Sequence, residues 1–242
     1  MIPPMAGRDD HAAAIRALIA RQPGRPDDTA GLLRRVCRAA TQALAVSGAG
    51  ISLMTDDGAR TVCAASDPLC ERIEDLQFVL GEGPCIDAHA TRRPVLIPDL
   101  EDGAAHRWPF YTPAAREGGV RAVFAFPLQV GAARLGVLDV FRERAGMLTV
   151  DELPLALTFA DVAVESLLDG PEHVASAVEH QAELFQAQGM VMVQLGVGIG
   201  EATARMRAYA YAEDRPLIDI ARDVVARTLR FNQLPEDGQS ND

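Results

Sequence analysis

Two apolar runs, residues 121–130 and 133–141, are parted only by a turn around Gly131-Ala132. A link that short can join only antiparallel strands, because a parallel pair needs a crossover of a dozen residues or more. This hairpin is the most apolar part of the chain, so it should supply the central strands of a sheet. An earlier strand pair, residues 49–54 and 60–65, turns around Asp56-Asp57-Gly58. The short run Pro94-Val95-Leu96-Ile97 adds a strand whose leading proline suits a sheet edge or a strand start.

Helical spacing fills the intervals. Ile15, Leu18 and Ile19 mark a short helix over 9–22, broken by Gln22-Pro23-Gly24-Arg25-Pro26. Leu32, Leu33, Val36, Ala40 and Leu44 form one stripe of a helix over 28–45. Residues 68–78 and 85–91 read as helices, with Leu80-Gly81-Glu82-Gly83 as the turn between them and Pro84 at a first helical position. Residues 99–119 read as loop and hold the only tryptophan, Trp108; residues 148–168 read as a long amphipathic helix. The connections are too short for repeated crossovers. The expected class is therefore α+β, an antiparallel sheet of five or six strands with helices on its faces.

At 242 residues and 48% hydrophobic content, one ordinary domain plus a small one is expected. No apolar run reaches the roughly 18 residues of a membrane span. The amino-terminal residues lack a signal peptide's features, so a cytoplasmic protein without membrane partners is expected. The net charge of −11 opposes non-specific attraction to nucleic acid or anionic lipid. Cys37, Cys63, Cys70 and Cys85 make no C-x-x-C pair and the five histidines are scattered, so spacing alone points to no zinc site and to buried or idle thiols.

Residues 81–88 (GEGPCIDA), 93–100 (RPVLIPDL), 123–128 (VFAFPL) and 135–140 (LGVLDV) resemble, in that order, the GAF domain of actinobacterial proteins that carry a following output module. The resemblance covers roughly 140 residues. It implies an antiparallel sheet and either a small-molecule pocket or a dimerisation unit with none; it names no cofactor. A pocket would lie over the sheet, beneath residues 80–91 and 99–119, lined by Cys85, Trp108, Phe110 and Tyr111. Trp108 and Phe110 also read simply as core closure. Cys85 opens a helix whose dipole favours a thiolate, so redox sensing is a further reading. Free methionine sulfoxide reductase is an enzymatic relative in fold and uses several pocket cysteines. Only Cys85 stands at a comparable place, and no nucleophile, base and orienting group converge in the sequence, so no enzyme is expected.

Beyond Gly170-Pro171, three further helices are expected over 174–195, 201–214 and 216–225. Val178, Phe185 and Met192, spaced by seven, form a short seam on which two chains could pair. Ala187, Gly189, Met192, Ala202, Met206, Arg207, Ala210, Leu217, Ala221 and Val225 fit the pattern of the ANTAR domain, the RNA-binding module of bacterial antiterminators. This chain departs from the pattern at Gln188, where a basic residue is usual, and at Thr203, where phenylalanine is usual. Between residues 176 and 231 six arginines (205, 207, 215, 222, 227 and 230) face seven acidic residues, so charge alone does not support tight RNA binding.

A 100° step per residue sets Tyr211 on the solvent side of the middle helix, with Arg207 one turn before it and Arg215 one turn after it if the helix persists. A tyrosine between arginines can stack an unpaired base and hold its phosphates. The same residues also read as ordinary solvated side chains. The expected RNA-contacting set is Gln188, Arg205, Arg207, Tyr211 and Arg215.

The expected organisation is a helical segment over 1–27, a GAF sensor over 28–169, an all-α three-helix ANTAR module over 170–231 and a disordered tail over 232–242. The expected function is a homodimeric, signal-responsive antitermination regulator that binds RNA hairpins. The alternative is a dimeric sensing or protein-interaction module whose ANTAR tail no longer binds RNA.

Overall fold

The structure is a computed structural model that describes residues 8–23, 29–54, 60–168, 171–213 and 215–231. The expected turn at Asp56-Asp57-Gly58, the break at residues 24–26 and the tail at 232–242 lie outside the described residues. The chain divides into two compact units, Met1–Glu179 and His180–Asp242.

The first unit is built on one five-stranded antiparallel sheet, with strands β1 (Gly48–Met54), β2 (Arg60–Ala65), β3 (Val95–Ile97), β4 (Ala122–Val130) and β5 (Ala133–Arg142). Their order is β2-β1-β5-β4-β3. The hairpin β4–β5 is central, as its apolar content requires, and β3 is an edge strand. Its preceding Pro94 has no N–H to give a ladder, so an edge suits it.

Helices α1 (Arg8–Ala20), α2 (Thr29–Ala43) and α7 (Glu152–Leu168) cover one face. Ile15, Leu33, Val36, Leu44 and Phe159 pack there against Ile51, Phe124, Phe126, Leu138 and Val140. Helices α3 (Pro68–Leu80), α4 (Pro84–Thr91), α5 (Ala104–Arg107) and α6 (Tyr111–Glu117) cover the other. Ile73, Phe78, Cys85, Trp108 and Tyr111 pack there against Val123, Ala125, Val137 and Phe141. The two-residue alternation of a strand divides the sheet between these cores.

Two expectations differ from the structure. The stretch 99–119 is not simply loop, because α5 and α6 form within it. Helix α7 begins at Glu152 rather than at Leu148. Glu152 N–H donates to Thr149 Oγ1 at 3.2 Å, and Thr149 N–H donates to Glu152 Oε2 at 2.7 Å. This reciprocal cap sets the helix start past Thr149.

Gly136 on β5 lies opposite Leu53 of β1 and Leu128 of β4. A Cβ there would stand 2.0 Å from the Ser52 carbonyl oxygen, a backbone atom in a central ladder. Gly136→Ala should therefore destabilise the first unit by about 1–3 kcal/mol or more, as overpacking does. Chemical denaturation followed through Trp108 fluorescence measures this. An unchanged midpoint would mean that β1 and β5 part easily.

The second unit contains the end of α8 (Pro171–Leu195), with α9 (Ile199–Ala212) and α10 (Leu217–Val225). Its core is Ala187 and Val191 from α8, Ala202, Met206 and Ala210 from α9, and Leu217, Ile220, Ala221 and Val224 from α10. The α9 residues recur every fourth position and the α10 residues at offsets of three, four and seven. Both are helical stripes.

Candidate functional site

The motif over residues 81–87 organises the helical face of the sheet residue by residue. Gly81 ends α3 in the left-handed conformation, with φ 74°. Glu82 Oε1 accepts the N–H groups of Phe110 at 2.6 Å and Tyr111 at 2.9 Å, satisfying donors at the start of α6. Gly83 has φ +143°, and a Cβ there would meet Gln77 Oε1 at 2.4 Å. Pro84 is the first residue of α4. The Cys85 N–H donates to Gln77 Oε1 at 2.8 Å. Asp87 Oδ2 accepts from Trp108 Nε1 at 3.2 Å and from Arg107 Nε at 2.8 Å, and the Arg107 guanidinium lies 4.6 Å from the Trp108 ring centroid.

This scaffold brings Cys85, Trp108 and Tyr111 into one buried cluster, with the Trp108 and Tyr111 rings edge to face at 6.4 Å. Phe110 does not join them. It precedes α6 and is 68% exposed, while its N–H donates to Glu82. An open groove of about 570 Å³ runs beside β3, lined by Thr91, Arg93, residues 94–97 and Arg107. None of the four expected pocket residues lines it.

The sequence reading missed the polar centre of the cluster. Glu74 and Gln77 reach it from α3, Asp139 from β5 and Ser52 from β1, and all four are buried. Ser52 Oγ donates to Glu74 Oε2 at 2.8 Å, and Gln77 Nε2 donates to Asp139 Oδ2 at 3.4 Å. Glu74 Oε1, Asp139 Oδ1 and the Tyr111 hydroxyl are buried with no partner outside this cluster, while the two carboxyls and the Cys85 thiol approach one another closely enough to hydrogen-bond. Small residues make the room: Asp139 pairs across the ladders with Gly50 and Ala125, and a Cβ on Gly50 would stand 2.6 Å from Glu74 Cγ.

Burial pushes the Asp139 carboxyl up to about 6. Glu74 is held well above the usual carboxyl range, first by burial and then by the Asp139 charge. Two like charges this close in a dry site resist ionising together. Tyr111 is likewise held well above its ordinary value, by burial and then by Asp139, Glu74 and Cys85. Among the described residues, Glu74, Cys85 and Asp139 are the one place where three metal-ligating side chains converge, their ligand atoms all within 4.8 Å of one another. A signal for this centre existed in the sequence: Asp139 interrupts the apolar run 135–141, and Glu74 and Gln77 sit three apart among the buried positions of α3.

In the second unit, Tyr211 is 56% exposed on α9, opposite the Ala202-Met206-Ala210 stripe. Ala204 and Ala208 beside it are also exposed, so small side chains lie next to the ring on this face. Arg207 is half-buried one turn earlier. Arg205 pairs with Glu201 at 3.2 Å. The helix ends at Ala212, so Arg215 lies beyond it and pairs with Asp223 at 2.8 Å. Gln188 is only 7% exposed, on the side of α8 that carries Ala187 and Val191.

The GAF domain family matches residues 27–167. The chain belongs to that family. Residues 172–225 match the ANTAR domain, so a GAF sensor domain precedes an ANTAR module, and both are regulatory rather than catalytic types. Among curated proteins none matches the chain. A GAF domain of a phosphoenolpyruvate-protein phosphotransferase from Coxiella burnetii is similar in fold, at 16% identity and TM-score 0.52, over 69% of this chain and 96% of that one. A domain of a putative sensor histidine kinase from Sinorhizobium meliloti 1021 aligns at 22% identity and TM-score 0.47, over 58% of this chain and 91% of that one. A free methionine-R-sulfoxide reductase from Neisseria meningitidis aligns at 17% identity and TM-score 0.49, over 66% and 87%.

Proposed function

We propose that this protein is a signal-responsive antitermination regulator: the GAF domain senses a small ligand or other signal, and the ANTAR module binds RNA hairpins in a nascent transcript. The observation that carries the RNA half is Tyr211, exposed among small residues on a helix whose opposite face is fully packed. A base stacked on that ring, with Arg207 reaching its phosphate, is the contact we assign to it. Gln188 supports the unit from within. Arg205 and Arg215, paired with Glu201 and Asp223, would exchange those acids for phosphate.

We divide the chain for this purpose into residues 1–27, 28–169, 170–231 and 232–242. We place it in the cytoplasm as a homodimer paired through the Val178, Phe185 and Met192 seam. Phe185 is 38% exposed on α8, which leaves it available to a second copy, while the Val178 side chain lies outside the described residues. Among the described residues no helix is long and apolar enough to cross a membrane.

The test is an RNA mobility shift with a leader of two hairpins at low salt. Stacking on an aromatic ring contributes roughly 1–3 kcal/mol per base, so Tyr211→Ala should weaken binding about fivefold to more than a hundredfold. Arg207→Ala should weaken it across sequences and flatten the salt dependence. Unchanged affinity in both variants rejects this surface. No binding by the wild-type protein, with or without candidate ligands, favours the second reading, a sensing module whose tail keeps the ANTAR fold alone. The burial of Gln188 and the two arginines already paired with acids are what favour that reading.

A further inference from the structure

We propose that Glu74, Cys85 and Asp139 form a buried site for one divalent metal ion of borderline character, the zinc or ferrous class. Three donors from three elements converge there: a carboxylate from α3, a thiol from the first turn of α4 and a carboxylate from β5. Their ligand atoms lie within 4.8 Å of one another. Tetrahedral coordination at roughly 2.0–2.3 Å sets ligand atoms roughly 3.3–3.8 Å apart, so side-chain adjustment of about an ångström closes the site.

The outer contacts are already in place. Each carboxylate has one oxygen held by a neighbouring donor, Ser52 Oγ on Glu74 Oε2 and Gln77 Nε2 on Asp139 Oδ2. In each the other oxygen, Glu74 Oε1 and Asp139 Oδ1, is buried with no partner outside the cluster, within which the two carboxyls and the Cys85 thiol approach one another closely enough to hydrogen-bond. Metal-binding carboxylates are typically arranged in this way, one oxygen oriented by an outer partner and the other left to the ion. Gln77 also fixes the sulfur ligand, since its Oε1 accepts the Cys85 N–H at 2.8 Å.

A fourth group points to the same place. The Tyr111 hydroxyl is buried beside Cys85 in the same cluster and lacks a hydrogen-bond partner. It completes a pocket of oxygen and sulfur donors inside an otherwise apolar core. Buried acidic groups are ordinarily paired, protonated or bound to metal. One thiolate with carboxylate oxygens is softer than the all-oxygen sets that suit magnesium or calcium and fits zinc or ferrous iron.

Cys70 also lies on this face, but its Sγ donates to Asp67 Oδ2 at 3.0 Å and it stands outside the converging set. If the ion is the signal that the GAF domain reads, that role rests on the sensor reading above. The binding itself does not, and it is measured without RNA.

The full chain, stripped with a chelator and kept reduced without added thiols, is titrated with Co²⁺ and separately refolded in its presence. The expected result is one equivalent bound, with a near-ultraviolet thiolate-to-cobalt charge-transfer band and the visible bands of a four-coordinate ion. Zn²⁺ should displace it. Cys85→Ser should abolish the charge-transfer band, while Cys37→Ser and Cys70→Ser should keep it. Glu74→Gln and Asp139→Asn should each weaken binding at least tenfold, and Ser52→Ala by about 10–100-fold as an outer partner. Should Cys85→Ser fail to fold, the two amide variants carry the decision: unchanged Co²⁺ affinity in both overturns the site. Substoichiometric uptake in both titration and refolding also overturns it, as does a band that survives Cys85→Ser.

Discussion

Asp139→Asn is expected to become the more stable form of the metal-free protein as pH rises from about 4 to 7. Asp139 is fully buried, and burial raises its carboxyl to about 6. In the unfolded chain the same group titrates near 3.9. Below pH 4 both states hold the proton, and the favourable contribution of the protonated native form is complete. Between about pH 4 and 6 the unfolded chain gives up its proton while the folded one retains it. The unfolded state then binds fewer protons, so stability falls as pH rises and the contribution is lost as pH passes the folded-state value.

The shift corresponds to about 3 kcal/mol from this group, at roughly 1.4 kcal/mol per pH unit. Glu74, raised in the same direction by burial and the Asp139 charge, extends the fall to higher pH. The groups around the pair are Ser52 from β1, Asp75 and Gln77 from α3, Cys85 from α4 and Tyr111 from α6. None of these is a basic side chain. Asparagine keeps the shape and lets its amide donate toward Glu74. Denaturant unfolding of wild type and variant, with a chelator present, should show their difference moving by about 3 kcal/mol in the variant's favour across this range. A difference that stays constant with pH would mean that Asp139 is solvated in the native protein.

The scaffold was more legible than its contents. Hairpin β4–β5, edge strand β3 and the turn at Gly81–Gly83 each follow from local rules about proline, glycine and alternation. The expected pocket residues were less legible, because exposure within a compact helical layer is set by packing of neighbouring elements. Cys85, Trp108 and Tyr111 turn inward. Phe110, between Trp108 and Tyr111 in sequence, turns out because Glu82 fixes its backbone at the start of α6. Asp139 was visible as an acid in an apolar strand. Its partner Glu74 lies 65 positions away on a helix and could be joined to it only through the sheet register that places Gly50 beside Asp139. In the ANTAR module the stripe of Ala202, Met206 and Ala210 and the outward side of Tyr211 follow from helical period. The inward side of Gln188 does not, because α8 alone leaves open which of its faces α9 and α10 cover.

Met206→Ala should unfold the ANTAR module while leaving the GAF domain intact. Met206 is fully buried, and four of the unit's other buried residues are alanines, Ala187, Ala202, Ala210 and Ala221. An alanine has no side chain long enough to reach into the space vacated. Large-to-small substitutions of this kind cost about 2–5 kcal/mol. A unit of this size holds only a few kcal/mol in total, at roughly 0.05–0.15 kcal/mol per residue, so the loss is comparable to the whole. The two halves can be read separately because the only tryptophan, Trp108, is buried in the first unit. Hydrogen exchange across α9 and α10 should become fast in Met206→Ala, with Trp108 fluorescence and its denaturation midpoint unchanged. RNA binding should vanish with the lost protection, whereas Tyr211→Ala should weaken RNA binding with α9 protection retained. Native protection of α9 in Met206→Ala would mean that these alanine-lined helices are held by contacts other than their own core.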